Sequence, residues 1–368
     1  MSTLYTRWFA DLRLDDRPTV GGKCASLGEL LSAGIDVPDG FAVTVDAFEL
    51  FRDTGGLRSQ LTDLVFSTDP TSSAALDDAH RRATALICTS AVPAQIEEQI
   101  RTHYAELCQR WGHPDGDLPV AVRSSAVAED GDATSFAGQQ ETYLWVVGAD
   151  SVIEHVRACW ASLYTPQAIA YRTQLTAEQA ADATRISVAI QCMVDAAVAG
   201  VAFTVSPRTG DRSVIAINAS WGLGHAVVSG EVTPDEFWVS KAGPQLTSQT
   251  IAHKLTQCVP DPSGTGVITA PVPADQRDIA CLDAAMVLQL AELATRVEDH
   301  YAHPVDIEWA LTRSTDHAPA RLLLLQSRPE TSWKARQAEA RARRAATGGA
   351  SYLNVISSAA GRAGGDAA

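Results

Sequence analysis

Apolar residues first fall at helical spacing at Leu27, Leu30 and Leu31, in "CASLGELLSAG", and the run stops at Gly34, a glycine suited to the position just past a helix end. Pro38 and Gly40 then mark a turn, "FAVTV" reads as a strand, and Asp46 is a candidate cap for the helix that follows. Residues 74–110 are polar-rich with helical spacing and break at Pro93. "LPVAVRSSA" reads as an apolar strand running into a loop. "SVIEHVRACWASLYTPQAIAYR" predicts a helix pair, with Ser151 and Glu154 spaced as a capping box.

The period then shortens. "RISVAIQCMV", "AGVAFTV", "RSVIAINAS" and "DEFWVSK" are β-branched runs separated by turns. "CLDAAMVLQLAELATRVEDHY" predicts one long amphipathic helix. "PVDIEWALTR" and "ARLLLLQSRPE" predict two strands of a hairpin around a polar loop. The pattern predicts an α/β first lobe over residues 1–185, a strand-rich second lobe over 186–331, and a helical, frayed tail over 332–368. A ligand held between two such lobes is a common arrangement.

Composition narrows the function classes. The chain has 368 residues, 46% hydrophobic and 20% charged, enough for two cores. A net charge of -15 argues against nucleic acid as the main partner, so any anionic ligand needs positive groups gathered locally or a metal. There is neither a membrane-length apolar run nor a basic-then-apolar leader. Seven cysteines without a CxxC pair fit reduced, buried thiols, so a cytoplasmic location is expected.

Five stretches place polar residues in apolar surroundings. In "VGGKCASLGEL", two glycines precede Lys23 and a helix start, which suits close approach of an anion. In "VAVRSSAVAEDGDATSFAGQQETYL", Arg123 precedes a segment with Ser135, Gly138 and Gln139, and an Arg beside a Gly/Ser loop suits phosphate oxygens. In "IQCMVDAAVAGVAFTVSP", Gln191, Met193 and Val194 end a strand where backbone groups suit a base edge, although by itself the stretch reads better as an ordinary strand-to-strand connection. "ASWGLGHAVVSGEVTPDEF" has glycines around Leu223 that imply close backbone packing or a ligand loop, and His225 beside them reads more simply as a satisfied polar group than as a catalyst. In the last stretch Asp306 and Glu308 alternate with Ile307 and Trp309, so both carboxylates share one strand face, and Gln326 and Arg328 share a face of the next strand. If those strands pair, Glu308 and Gln326 offer hard oxygens to Mg²⁺ and Arg328 suits a phosphate; a cross-strand salt bridge is the simpler alternative.

These stretches, in this order, resemble the ATP-grasp nucleotide-binding domain of the pyruvate phosphate dikinase and phosphoenolpyruvate synthase family, which includes rifampicin phosphotransferase and phenylphosphate synthase subunits. The resemblance spans about residues 18–331. It implies an α+β ATP-grasp fold of two lobes, the first α/β and the second rich in antiparallel strands, with ATP and Mg²⁺ between them. By position, it implies that Lys23 and Arg123 hold the phosphates and that Ser135 to Gln139 close over them. Gln191, Met193 and Val194 would touch adenine, Glu308 and Gln326 would bind Mg²⁺ beside Asp306, and Arg328 would hold phosphate. The implied reaction is dikinase-type phosphotransfer: ATP is cleaved to AMP and phosphate, and the β-phosphoryl group passes to a histidine and then to a small acceptor. None of the nine histidines sits in the family's phosphohistidine setting, so that histidine is expected on a partner subunit or another domain. Two departures stand out: Cys24 follows the lysine where the family most often has glycine, and His225 stands where it usually has glutamate. They keep two other readings open, a nucleotide-binding module without catalysis and a self-contained ATP-grasp kinase or ligase.

Overall fold

In the computed structural model, residues 3–127, 141–176, 179–180, 184–314 and 319–329 are described. Ser135, Gly138 and Gln139, and the tail from 332, lie outside them.

Alternation along the strands builds the first sheet. Strands β1 (Thr6–Trp8), β2 (Gly40–Val43), β3 (Val120–Ala126), β4 (Thr142–Val146) and β5 (Ile186–Cys192) form a five-stranded sheet in the order β1-β2-β5-β3-β4. Successive residues point to opposite faces. Phe41, Val43, Val188 and Ile190 therefore enter one core, and Ala42 and Ala189 enter another. Helices α2 (Val45–Asp53), α3 (Leu57–Ser67), α4 (Ser73–Thr89), α5 (Ala94–Arg110), α6 (Ala149–Ala161) and α7 (Pro166–Arg172) supply most of the first core. There the Trp160 ring packs against Phe48 and Phe51, at centroid distances of 5.4 and 4.7 Å.

Helix α1 (Arg17–Ser32) covers the other face. Val20, Leu27 and Leu30 share a core with Val198, Ile307, Trp309 and Leu324 of the second half, so α1 packs against both halves of the chain. The helix is interrupted at Gly21, with φ of 72°. A Cβ there would lie 2.1 Å from the Ser125 carbonyl oxygen. Replacing Gly21 by alanine combines a left-handed backbone with a clash, and about 2–4 kcal/mol of stability should be lost in denaturant unfolding.

The second half forms a six-stranded sheet in the order β13-β12-β6-β7-β8-β9. Its strands are β6 (Ala196–Phe203), β7 (Val214–Trp221), β8 (Asp235–Ser240), β9 (Gln245–Thr250), β12 (Val305–Thr312) and β13 (Leu322–Pro329). A separate hairpin pairs β10 (Thr256–Pro260) with β11 (Val267–Pro271), and α8 (His225–Val228) is a single turn. Helix α9 (Ala284–Tyr301), capped by Asp283, lays Val287, Leu290, Ala294 and Val297 on one sheet face. Pairing between the named strands is antiparallel throughout, so the fold is mixed α+β as expected.

Several local expectations change. β5 pairs with β2 and β3 of the first sheet, so the change of sheet falls at 193–195, one strand later than the expected boundary at 185. Helix α6 begins two residues before Ser151, after Gly148, so Ser151 meets His155 inside the helix and caps nothing. Thr44, without a side-chain cap, precedes α2, and Asp46 lies in its first turn. β9 to β11 were not expected, because β9 is exposed almost throughout and carries no apolar alternation.

Candidate nucleotide site

The pairing of β12 with β13 sets the geometry. Asp306 stands opposite Arg328, and Glu308 opposite Gln326. On the other flank, β6 sets Phe203 against Asp306 and Val201 against Glu308. The polar residues thus occupy the sheet face away from Ile307 and Trp309, which are buried in the core. Asp306, Glu308, Gln326 and Arg328 line a cavity of about 170 Å³, with Val227 and Val228 of α8 as an apolar wall. α8 thus lends the cavity two valines, while His225, at its first position, is exposed.

Arg123 lies mid-strand in β3, with Ser124 and Ser125 still in the strand and buried, where a loop was expected. Its Nη2 donates to Glu308 Oε2 at 3.0 Å and to Gln326 Oε1 at 2.6 Å. The two expected metal ligands therefore converge on one cationic nitrogen. Asp306 holds Arg328 Nε at 2.6 Å. That pair is the cross-strand salt bridge considered from the sequence, and Arg328 keeps 59% of its side chain exposed.

Lys23 is 7% exposed and its Nζ donates to the Ser124 carbonyl at 2.7 Å. Its ammonium therefore sits against the residue next to Arg123. Sequence reasoning missed what holds this arrangement. Ser125 Oγ donates to the Val20 carbonyl at 3.0 Å and accepts from the Cys24 amide at 3.4 Å, and Ser187 Oγ also donates to Val20. Two buried strand hydroxyls thus pin the chain just before Gly21. The paired serines after Arg123 were the only signal. Cys24 is fully buried, with Sγ 3.7 Å from Ser187 Oγ, so the residue that departs from the family pattern is a packing group. Burial likewise pushes the thiols of Cys159, Cys192 and Cys281 well up.

Gln191 is buried and its Nε2 reaches the Leu325 carbonyl at 3.4 Å, next to Gln326. The amides of Cys192 and Met193 donate to Asp39 and Pro119. Those two N–H groups are spent on the protein itself, and Val194 is buried beside Met193 in a small apolar cluster. Of the glycines around Leu223, Gly222 serves packing: it has φ of 77°, and a Cβ on it would sit 2.3 Å from the Cys258 carbonyl oxygen. Lys23, Arg123, Glu308 and Gln326 are thus brought together, and Arg328 and Asp306 stand beside them.

Residues 17–348 match the family of the pyruvate phosphate dikinase AMP/ATP-binding domain. The chain belongs to this family. It is 40% identical over 358 residues to a probable phosphoenolpyruvate synthase of Staphylothermus marinus, covering 92% of this chain and 43% of that protein. It is 38% identical to the phosphoenolpyruvate synthases of Pyrococcus furiosus and of Escherichia coli, covering 91% and 88% of this chain and 44% and 41% of theirs. The chain therefore spans under half the length of these relatives. Among the described residues, no helix is long and apolar enough to cross a membrane.

Proposed function

We propose that the chain is the ATP-binding part of a dikinase-type phosphotransferase, with the two sheets as the lobes that hold Mg²⁺–ATP. The observation that carries this reading is the convergence of Glu308 and Gln326 on one nitrogen of Arg123, with Lys23 against the neighbouring residue. One carboxylate and one amide oxygen aimed at a single positive centre suit Mg²⁺, which takes few protein ligands and completes its shell with phosphates and water. When bound, the ion supplies charge neutralisation on the phosphate oxygens.

Arg123 gives up Glu308 and Gln326 as nucleotide enters and turns its guanidinium to phosphate oxygens. Lys23 meets the phosphates at the helix start after Gly21, where amides and ammonium add. Exposed Arg328 swings from Asp306 to a phosphate. The base lies along Gln191–Val194. Because the Cys192 and Met193 amides are engaged, other groups of that segment read its edge. This set does little covalent chemistry, and catalysis rests on positioning and charge.

ATP and one water give AMP and inorganic phosphate: the γ-phosphoryl group leaves to water, and the β-phosphoryl group passes to a histidine outside this chain, then to a small acceptor. The relatives' name makes phosphoenolpyruvate the final product to test first. The remainder of the Escherichia coli relative, supplied as a separate polypeptide, is the natural partner for a test. With ATP labelled in its β-phosphate and Mg²⁺, the expected products are AMP and an acid-labile label on the partner. ADP as the product, or turnover without any partner, contradicts this reading and favours a self-contained kinase or ligase.

A further inference from the structure

Among the described residues, Trp145 and Ala302 alone carry a side chain at positive φ. Ala302 follows the end of α9, but Trp145 lies within β4, the edge strand of the first sheet, with φ of 58°. A bulky side chain seldom enters this region. The pairing accounts for it. Val120 stands opposite Val146 and Val122 opposite Tyr143, so Leu144 and Trp145 together face Ala121 in a bulge. Glycine would take this turn without strain. A tryptophan persists there only where its surroundings over-determine it, and such residues gather at ligand clamps and switch points.

Two contacts with the second half hold Trp145. Its carbonyl accepts from the Gly266 amide at 2.9 Å. Gly266 closes the loop of the β10/β11 hairpin, and that loop is internally bonded. The Asp261 amide donates to the Gly266 carbonyl at 3.0 Å, the Gly264 amide to the Asp261 carbonyl at 3.0 Å, and the Ser263 amide to Asp261 Oδ1 at 2.7 Å. The side chain supplies the second contact. Trp145, Met193, Val267 and Leu325, all half-buried, pack against the small apolar cluster that holds Val194, Leu223 and Cys258. The hairpin forms a sheet of its own. It is tied to the loop after β7, where the Leu223 amide donates to the Cys258 carbonyl at 2.8 Å, and to β4 through Gly266. It is therefore a strap between the two halves, packed where the chain crosses from one sheet to the other at 193–195.

We propose that Trp145 is a positioning residue: it latches the β10/β11 strap to the first sheet, and the latched strap holds Met193, Val267 and Leu325 against the nucleobase. The inference rests on the reading that the base lies along Gln191–Val194, and it adds the strap and its latch to that segment. The cluster adjoins this end of the cleft, since the Leu325 carbonyl accepts from Gln191 Nε2 at 3.4 Å. With the Cys192 and Met193 amides already engaged, apolar contact is what these side chains have to offer a base.

The test sets wild type beside Trp145→Gly, which relaxes the backbone and removes the ring, and Trp145→Phe, which keeps a ring. Hydrogen exchange reads the latch. In Trp145→Gly the hairpin amides should exchange at least tenfold faster, with those of β3, β5, β12 and β13 unchanged, and Trp145→Phe should stay within threefold of wild type. Calorimetry then reads the base. Trp145→Gly should bind Mg²⁺–ATP at least tenfold more weakly and Mg²⁺–tripolyphosphate, which has phosphates and no base, within twofold of wild type. Should Trp145→Gly fail to fold, Trp145→Asn replaces it, since asparagine tolerates the left-handed turn. Hairpin exchange at the wild-type rate in the ringless variant overturns the latch. Unchanged ATP affinity, or an equal loss for both ligands, overturns the positioning of the base. If wild type binds no ATP while the ringless variant frees the hairpin, the latch stands and the nucleotide reading falls.

Discussion

Lys254→Met is expected to destabilise the chain by about 3–5 kcal/mol, the usual cost of leaving one member of a buried ion pair alone. Lys254 Nζ lies 2.6 Å from Asp235 Oδ1, and both side chains are 0% exposed. The Asp235 carboxylate also accepts from the Ala252 amide at 2.9 Å and from the Cys281 amide at 2.8 Å. Lys254 in turn donates to the Ala252 carbonyl at 3.0 Å, and its backbone amide donates to Arg277. One pair therefore fastens the segments at 252–254, 277 and 281 to the start of β8. Methionine fills much of the lysine's volume, so the dominant loss is the carboxylate left with two amide donors and no counter-charge. Against a typical total of about 5–15 kcal/mol this is a large share. Urea unfolding should show it as a lower midpoint at unchanged slope. Lys254→Met/Asp235→Leu should recover much of the loss, because an apolar pair in place of a buried ion pair is often neutral. A single-variant loss below about 1 kcal/mol would contradict the geometry.

The second large effect concerns chemistry. Arg123→Ala should slow AMP formation in the presence of the histidine partner by about 10³-fold or more, the scale of an arginine that neutralises charge in phosphoryl transfer. Arg123 is the residue that touches both Glu308 and Gln326. Stability should change far less, because Glu308 keeps 24% of its side chain exposed and regains water. Arg123→Lys should not restore the rate, since an ammonium cannot offer a planar fork to two oxygens. AMP formation within tenfold of wild type in Arg123→Ala would show that this guanidinium takes no part.

How much was legible depends on how local the physics is. The β12/β13 face was readable because alternation is a property of one strand: Asp306 and Glu308 flank Ile307, and Gln326 and Arg328 flank Ser327. The register that sets Glu308 opposite Gln326 then follows from the hairpin. Helices with strong apolar periodicity, such as α4, α5 and α9, were also legible. The serines that pin Val20 were not, because Ser125 and Ser187 lie 105 and 167 residues from it in sequence and only the sheet brings them together. Lys254 was equally silent: a single lysine in a polar stretch carries no sign that its partner is buried 19 residues upstream. The β5 strand shows the same limit, since its residues read as a strand and its choice of sheet is made by β2 and β3.

The most direct test of the central claim is calorimetric titration of Mg²⁺–ATP into the purified chain, wild type beside Lys23→Ala. The ammonium of Lys23, held on Ser124 next to Arg123, is assigned to the nucleotide phosphates. Wild type should bind ATP with micromolar to millimolar affinity, and the variant should lose about 1–3 kcal/mol, roughly tenfold or more. Equal affinity in the two proteins would remove Lys23 from the site, and no binding by wild type would contradict the assignment of this cleft to ATP.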